Sequence, residues 1–178
     1  GSLGYKNSSL KGKDLFLSAI KHIKHDKKKF GIFFLGEGND FADEINGIKI
    51  FKVDRLDNDN EIKHFYNAID FVVVPSRLES FGQTASEAHS CGKPVVAFKC
   101  TGLTDIIKHK INGWLAEPFD ISELATGIDY ILDLDEVTFK KYCQDSRNMA
   151  EKKFSYEVIS KKYIELYKDI LSKKNNND

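Results

Sequence analysis

The chain has no excess of charge of either sign, little cysteine, and no long apolar run. Lysine and arginine together number 27, as do aspartate and glutamate, so the formal net charge is zero. Dedicated nucleic-acid-binding proteins usually carry a basic excess or a basic stripe, and this composition argues against that class. No apolar stretch approaches the roughly 18 residues that span a bilayer, and no signal-peptide pattern is visible.

The cysteines are too few and too scattered for a structural framework. Cys91, Cys100 and Cys143 are odd in number and show no Cys-x-x-Cys spacing. Neither a disulfide framework nor a structural zinc site is therefore expected, and a reducing cytosol fits best. The sequence does not begin with Met, and we expect it to be a fragment. Its 178 residues, 41% of them hydrophobic, are enough for one domain with a sizeable core, spanning 1–178.

Short apolar runs alternate along the chain with segments of helical periodicity. A first strand is predicted to end at Leu3-Gly4. Further strands are predicted at 30–35, 48–53, 71–75, 94–98 and 114–116. Helices are predicted after Lys11-Gly12, as a short piece at 41–45, and at 61–68, 82–90, 104–108, 122–132, 137–153 and 156–171, before a frayed polar tail at 173–178. This order predicts a Rossmann-like three-layer α/β/α fold, with a parallel sheet of about six strands and extra C-terminal helices.

Local sequence also predicts where several helices begin and end. Asp120, Asp135 or Asp133, and Ser155 are candidate N-caps of the last three helices. Gly92 is the predicted stop signal of the helix at 82–90.

Three shorter motifs are better explained by structure than by ligand binding. A dinucleotide fingerprint starting at Gly36 would need glycine at position 41, where this chain has Phe41. A P-loop ending at Gly92-Lys93 fails because Glu87 stands where its first glycine is required. The triplet Asp57-Asn-Asp59 resembles a metal-binding motif, but aspartate between a strand and a helix is favoured as a turn former and cap. We expect no metal there.

Glu79 and Glu87 are the strongest candidate site residues. They flank a predicted helix start between two buried strands, which is a place where α/β sheets bind anionic ligands. Phe81-Gly82 leaves room for close ligand approach, and Gln83 and Thr84 offer free backbone amides. The pair suits a ligand with hydroxyl groups on both sides of a diphosphate. The structural alternative is one acid favoured by the helix dipole and one solvated helix acid.

The segment around these acids resembles the signature of the group 1 (family 4) retaining glycosyltransferases of the GT-B fold. It reads Pro75-Ser-Arg-Leu-Glu-Ser-Phe-Gly-Gln-Thr-Ala-Ser-Glu-Ala-His-Ser-Cys-Gly-Lys-Pro-Val-Val-Ala. Supporting matches are Lys11-Gly12, Gly36-x-Gly38, Thr101-Gly102 with Asp105-Ile-Ile107, Asn112-Gly113-Trp-Leu and Phe154-Ser155. The resemblance covers the C-terminal, donor-binding domain of the family and implies that the N-terminal acceptor-binding domain lies outside this sequence.

The resemblance implies two catalytic residues, Lys11 and Glu79. Lys11, with the amides of Gln83 and Thr84, would bind the donor diphosphate and stabilise it as it leaves. Glu79 would hold hydroxyl groups of the donor sugar and would not act as a nucleophile. Lysine and helix dipole would meet the phosphate charge, so neither a cofactor nor a metal ion would be required.

The resemblance also implies further donor-binding residues. The backbone of Phe81 and Gly82 would contact the sugar, and Glu87 would accept hydrogen bonds from the ribose hydroxyls. The base would lie near Arg55 and Leu56. The reaction would be hexosyl transfer with retention of anomeric configuration, to a glycan or glycolipid of a surface polysaccharide pathway.

One departure from the family pattern concerns the phosphates. The family usually has arginine after the glycine that aligns with Gly4, whereas this chain has Tyr5 followed by Lys6. Lys6 is the candidate substitute, although it lacks the bidentate geometry of arginine.

The expected partners are a nucleotide-diphospho-sugar and the acceptor domain, with no nucleic acid. The resemblance implies a cytoplasmic protein that would contact the inner membrane face only through the half outside this sequence. Two alternatives stay open. One is a GT-B nucleotide-sugar epimerase, and the other is a non-catalytic nucleotide-binding α/β module.

Overall fold

The structure, a computed structural model, describes residues 9–36 and 43–175, in which strands and helices alternate. The strands are β1 (Gly31–Leu35), β2 (Glu44–Ile45), β3 (Ile48–Val53), β4 (Val72–Val74), β5 (Val95–Phe98) and β6 (Gly113–Ala116). The helices are α1 (Lys13–Ile20), α2 (Asp59–Ala68), α3 (Gln83–Ser90), α4 (Leu103–Ile106), α5 (Ile121–Leu132), α6 (Glu136–Phe154) and α7 (Tyr156–Asn175). A single 3-10 turn, Ser9–Lys11, precedes α1. The strand predicted to end at Leu3-Gly4 lies outside the residues that the structure describes.

The six strands of the described residues form two three-stranded sheets. In the first, β1 pairs in parallel with β3, and β2 pairs antiparallel with β3. In the second, β4, β5 and β6 are all parallel, with β5 in the centre. The predicted α/β fold is therefore confirmed. The predicted single parallel sheet differs in detail, because β2 runs antiparallel and a cavity of about 400 Å³ lies between β1 and β4.

Helices cover both faces of the second sheet. Along β5, Val96 and Phe98 belong to an apolar cluster shared with α1 and α5. Their neighbours Val95 and Ala97 belong to a second cluster, shared with α2, α3 and α4. Successive side chains of a strand point to opposite faces, so a strand that is apolar throughout must be buried on both sides. This is the predicted three-layer arrangement, and it puts the loop from β4 to α3 at the carboxyl edge of the sheet.

The predicted helix signals are confirmed at four positions. Asp120 accepts a hydrogen bond from the Glu123 amide at 2.9 Å, and Asp135 accepts one from the Thr138 amide at 2.9 Å. The Ser155 hydroxyl accepts a longer one from the amide of Val158 at 3.4 Å. Gly92 follows α3 with φ 68°, in the left-handed region that a C-terminal helix stop requires.

Two local predictions are wrong. The piece expected to be helical at 41–45 is, in its described part, strand β2. Asn46 and Gly47 both have positive φ and turn the chain back into β3, which makes a hairpin. The expected polar tail at 173–178 is helical through Asn175, because lysine and serine continue α7 without a breaking residue.

Helix α7 leaves much apolar surface uncovered. Its large side chains that are at least half exposed are Tyr156, Tyr163, Ile164, Leu166, Tyr167, Ile170 and Leu171. None of the helices within residues 9–36 and 43–175 combines the length and apolarity needed to cross a bilayer.

Candidate functional site

The two residues predicted to be catalytic are in direct contact. The Lys11 ammonium donates to the Glu79 carboxylate, with Nζ 2.6 Å from Oε1. Lys11 ends the 3-10 turn before α1, and Glu79 lies in the loop from β4 to α3. The side chain of Glu79 is only 13% exposed and that of Lys11 is 31% exposed. Partial burial strengthens their attraction, because less water screens the two charges.

Neighbouring groups fix the conformation of Glu79. The buried Ser76 hydroxyl donates to the same carboxylate oxygen, Oε1, at 2.8 Å. The Glu79 amide donates to the Thr101 hydroxyl at 3.0 Å, and that hydroxyl donates to the Glu79 carbonyl at 2.5 Å. The Gly102 amide also donates to this carbonyl, at 3.0 Å. Among the described residues both side-chain donors use Oε1, which leaves the other carboxylate oxygen, Oε2, available for a ligand hydroxyl.

Two glycines allow the close approach of backbone around this pair. Gly12, with φ 67°, lies against the end of β4, and a Cβ atom there would come within 1.8 Å of the Pro75 carbonyl oxygen. Gly82, with φ 91°, precedes α3, and a Cβ atom there would meet the Leu103 side chain at 2.8 Å. Both positions need a backbone conformation that L residues rarely adopt. Gly12 therefore lets the loop that bears Lys11 approach the end of β4, and Gly82 lets the start of α3 approach α4.

Helix α3 opens without a side-chain cap. The amides of Ala85 and Ser86 both donate to the Gly82 carbonyl at 3.0 Å. Those of Gln83 and Thr84 donate to no carbonyl within the described ranges. The first amides of a helix carry a partial positive charge that favours anions. The helix start thus offers two donors beside Lys11 and Glu79.

Glu87 lies on the second turn of α3 and is held by two neutral donors. The Tyr66 hydroxyl, on α2, donates to Oε2 at 3.1 Å, and the Gln83 side-chain amide donates to Oε1 at 2.9 Å. Burial and the nearby Glu87 charge raise the pKa of Tyr66 far above its usual value, which keeps this hydroxyl protonated as a donor. Glu87 lines an open groove between α2, α3 and α6.

The remaining predicted residues differ in how closely they join this site. Phe81 is 46% exposed and packs edge-on against Phe154, with ring centroids 5.2 Å apart. Arg55 and Leu56 lie between β3 and α2, and no hydrogen bond or ion pair links them to the two glutamates within the described parts of the chain. Lys6 lies outside the described residues, so its predicted role stays a prediction.

The triplet at Asp57–Asp59 acts locally, as the sequence predicts, although the capping residue is Asn58. The Asn58 side chain accepts a hydrogen bond from the Glu61 amide at 3.0 Å. Asp57 pairs with Arg55 at 3.3 Å in a highly exposed contact.

Four residues that support the site were not predicted from the sequence. Ser76 and Thr101 hold Glu79, Tyr66 holds Glu87, and Arg77 contacts the segment that carries Lys11. Ser76 and Arg77 stand within the signature segment, and this position could have identified them as candidate site residues. Thr101 stands in the supporting match Thr101-Gly102, although nothing there indicates its contact with Glu79. Nothing in the sequence marks Tyr66, which reaches Glu87 from another helix, 21 positions earlier in the chain.

Comparison with known families gives one match that spans most of the chain. The model of the family described as "Glycosyl transferases group 1" matches residues 7–153. An uncharacterized glycosyltransferase of Methanocaldococcus jannaschii is 31% identical over 168 residues, which are 90% of this chain and 45% of that protein. The chain thus spans less than half the length of this relative.

Two solved structures share the fold. The C-terminal domain of a glycosyl transferase group 1 family protein from Francisella tularensis matches with a TM-score of 0.70 and 25% identity, covering 84% of this chain and 83% of that one. Anabaena HepE in complex with UDP-glucose matches with a TM-score of 0.74 and 22% identity, covering 92% of this chain and 46% of that one.

Proposed function

Because the chain belongs to the group 1 glycosyltransferases, we propose that it binds a nucleotide-diphospho-sugar and is the donor-binding half of a retaining hexosyltransferase. The observation that carries this proposal is the contact of Lys11 with Glu79 beside the first amides of α3, which donate to no carbonyl of the described residues. A cation and helix amides suit a diphosphate, and a carboxylate suits sugar hydroxyls. The near-complete overlap with the Francisella tularensis C-terminal domain supports the proposed domain identity.

In the proposed reaction the bond between the sugar anomeric carbon and the diphosphate oxygen breaks, and the acceptor hydroxyl oxygen forms the new bond on the same face. The hydroxyl proton passes to the leaving diphosphate oxygen. Negative charge develops on the leaving diphosphate. Lys11 and the amides of Gln83 and Thr84 stabilise that charge in fixed positions. Glu79 orients the sugar through its hydroxyls, and no protein group acts as a nucleophile.

Donor binding requires the Lys11–Glu79 ion pair to be shared with the ligand. A diphosphate draws the Lys11 ammonium away from Oε1, and sugar hydroxyls donate to the carboxylate that Lys11 leaves. On the other side of the helix start, Glu87 accepts hydrogen bonds from the ribose hydroxyls. Tyr66 and Gln83 keep its carboxylate oriented toward them.

The other half of the proposed enzyme supplies the acceptor. The chain accounts for 45% of the Methanocaldococcus jannaschii relative, which leaves room for an acceptor domain. We propose that the apolar surface of α7 packs against that domain, and that the isolated chain binds donor without transferring the sugar. The proposed pathway is synthesis of a surface polysaccharide or glycolipid.

Calorimetric titration of this chain with ADP, GDP, UDP and UDP-glucose, with and without Mg²⁺, tests the proposal. UDP-glucose belongs in the panel because it is the ligand of the HepE complex. We expect at least one nucleoside diphosphate to bind without Mg²⁺. Lys11→Ala and Glu87→Ala should each weaken that binding about tenfold or more, since each removes a charged hydrogen-bonding partner.

Two matched variants control for the loss of a charge elsewhere on the surface. Lys173→Ala removes a lysine paired with Asp169 on α7, and Glu151→Ala removes a glutamate paired with Arg147 on α6. Neither should change the affinity. Unchanged binding in both Lys11→Ala and Glu87→Ala would sink the proposal, and strict dependence on Mg²⁺ would contradict its metal-free mechanism.

A further inference from the structure

Arg77 lies two residues before Glu79, yet its hydrogen bonds go to the segment that carries Lys11. Its amide donates to the Leu10 carbonyl at 2.8 Å. Its guanidinium donates through Nη1 to the Ser9 carbonyl at 2.5 Å and to Asp14 Oδ1 at 2.8 Å, and through Nη2 to Asp14 Oδ2 at 2.6 Å. One residue thus makes four hydrogen bonds to a segment 63 to 68 positions earlier in the chain.

These hydrogen bonds fall on both sides of Lys11. Ser9 and Leu10 precede it, and Asp14 follows it on the first turn of α1. Between them, Gly12 rests against Pro75, where no Cβ atom could fit. The segment therefore contacts the chain that follows β4 at two places, through Gly12 against Pro75 and through the hydrogen bonds to Arg77. The 2.6 Å contact between Lys11 and Glu79 forms within that frame.

We propose that Arg77 is a positioning residue that sets the place of the Lys11 ammonium in the donor site, with Asp14 as its partner. The choice of diphosphate as the ligand rests on the proposed function, but the positioning of Lys11 does not. A planar guanidinium holds a carboxylate and a carbonyl at fixed angles, which a lysine ammonium cannot do. The frame keeps Lys11 beside the amides of α3 before any ligand arrives.

The charge of Arg77 is already engaged. The side chain is 28% exposed, and both carboxylate oxygens of Asp14 accept from it. The hydrogen bond from Arg77 is the largest cause of the lowered pKa of the Asp14 carboxyl, which agrees with a close pair. The alternative hypothesis is that Arg77 itself contacts the phosphates, in place of the arginine that is absent at Tyr5. The engagement of its charge by Asp14 favours the positioning role.

The two ideas predict opposite effects for Asp14→Asn. If Arg77 positions Lys11, loss of the Asp14 charge loosens the frame and weakens anion binding. If Arg77 contacts the phosphates directly, the same change frees its charge and strengthens binding. Arg77→Gln alone weakens binding in both cases, so it must be combined with Lys11→Ala.

The experiment compares Arg77→Gln, Arg77→Lys and Asp14→Asn, each with and without Lys11→Ala. Arg147→Gln is the matched control, because Arg147 also donates to a carbonyl, that of Ser90, and to a carboxylate, that of Glu151. The first measurement needs no ligand. It is the rate at which an amine-reactive reagent acylates Lys11, quantified by mass spectrometry of the peptide, with circular dichroism to verify folding.

We expect Arg77→Gln and Asp14→Asn to raise the acylation rate of Lys11 about threefold or more, since freeing the segment exposes its amine. Arg77→Lys should give a smaller increase, and Arg147→Gln none. Should Arg77→Gln not fold, Arg77→Lys and Asp14→Asn decide the matter. An unchanged Lys11 rate in folded variants would overturn the proposal.

The second measurement is the affinity for inorganic pyrophosphate and UDP by calorimetry. Arg77→Gln and Asp14→Asn should weaken binding about fivefold in the parent chain, and by less than about twofold when Lys11 is already alanine. Additive losses, or tighter binding by Asp14→Asn, would overturn positioning in favour of direct contact. If the parent chain binds none of the nucleotides tested, the proposed function fails, and the acylation rates still decide the role of Arg77.

Discussion

The surroundings of Glu79 and of Glu87 differ, although one helix start separates the two acids. Glu79 accepts from a cation and a buried hydroxyl, and its backbone is fastened to Thr101 and Gly102. Within the described part of the chain, Glu87 accepts from two neutral donors, Tyr66 and Gln83. A carboxylate paired with a cation can exchange that partner for a ligand. A carboxylate oriented by neutral donors keeps its charge for hydroxyl groups.

This difference supports separate tasks for the two acids, donor sugar and phosphate at Glu79 and ribose at Glu87. It also predicts that ligand binding at Glu79 depends on the contact between two loops that are distant in sequence. Ligand binding at Glu87 depends instead on the packing of α3 against α2. The following predictions test that contrast.

The largest expected effect comes from adding one methyl group at Gly12. A Cβ atom there would lie 1.8 Å from the Pro75 carbonyl oxygen, so the loop that carries Lys11 must move. Gly12→Ala should lower the free energy of unfolding by about 3 kcal/mol or more. It should also abolish diphosphate binding in the protein that remains folded. Urea unfolding and calorimetry provide the two measurements.

Gly92→Ala is the matched control at the far end of α3. Gly92 has nearly the same φ, 68°, but its nearest atom to an added Cβ is the Cys143 carbonyl oxygen at 3.4 Å. It should therefore cost only the left-handed strain of about 1 kcal/mol and leave binding unchanged. Equal losses of stability in both variants would show that the Lys11 loop is not tightly fitted.

The stability of the protein should depend on pH through His89, a buried residue of α3. His89 is fully buried, and its Nε2 lies 3.2 Å from the Asn112 carbonyl, to which it donates. Burial lowers the pKa of His89 to about 4. Below pH 6.5 the unfolded chain takes up a proton that the folded chain refuses until about pH 4. Stability should therefore fall across that window, by up to about 3 kcal/mol.

Urea unfolding at pH 7, 5.5 and 4.5 measures this effect. His89→Gln keeps a donor for the Asn112 carbonyl and should flatten the pH dependence of the free energy of unfolding. His22→Gln, which replaces an exposed histidine, should leave that dependence unchanged. A slope that persists in His89→Gln would assign the acid sensitivity to other groups.

Replacing each glutamate with glutamine sharpens the contrast directly. Glu79→Gln frees Lys11 from its ion pair, so the affinity for a nucleoside diphosphate should be unchanged or higher. The additional affinity that the sugar gives to a nucleotide sugar should be lost. Glu87→Gln should weaken nucleoside diphosphate and nucleotide sugar equally, by about tenfold. Parallel titrations with UDP and UDP-glucose measure both, and identical profiles for the two variants would remove the division of tasks.

The smallest expected effects come from the hydroxyl donors behind the two acids. Ser76→Ala and Tyr66→Phe each remove one hydrogen bond to a carboxylate, at about 1 to 2 kcal/mol of stability. Ser76→Ala should weaken nucleotide-sugar binding about threefold with little change for the diphosphate alone. Tyr66→Phe should weaken both to the same degree. The reverse assignment would contradict the separate roles.

The order and type of the main elements could be predicted from the sequence because they depend on local patterns. Apolar runs such as Val72–Val74 and Val95–Phe98 have too few polar residues to be anything but buried strands. The failure at 44–45 is equally local, since a two-residue strand gives no periodicity to detect. It exists because the Asn46-Gly47 turn pairs it with β3.

The site itself could be predicted only in part. Glu79, Gly82 and Glu87 stand in one recognisable segment, so their joint involvement follows from the sequence. Tyr66 and Thr101 stand outside that segment, since each reaches the site from another part of the chain, 21 or 22 positions away from the glutamate that it contacts. Arg55 and Leu56 show the opposite case. Their placement beside the base comes from the resemblance, and no contact within the described residues yet ties them to the glutamates.

Local patterns are enough to predict the alternation of strands and helices, the N-caps of the last three helices, and the segment that marks the family, because each depends on neighbours within a few positions. The contact of Lys11 with Glu79 across 68 positions, and that of Arg77 with Asp14 across 63, could be found only in the folded protein. Such contacts form where packed layers bring two loops to the same sheet edge. No local pattern carries that information, because the distance between the loops is set by the core beneath them.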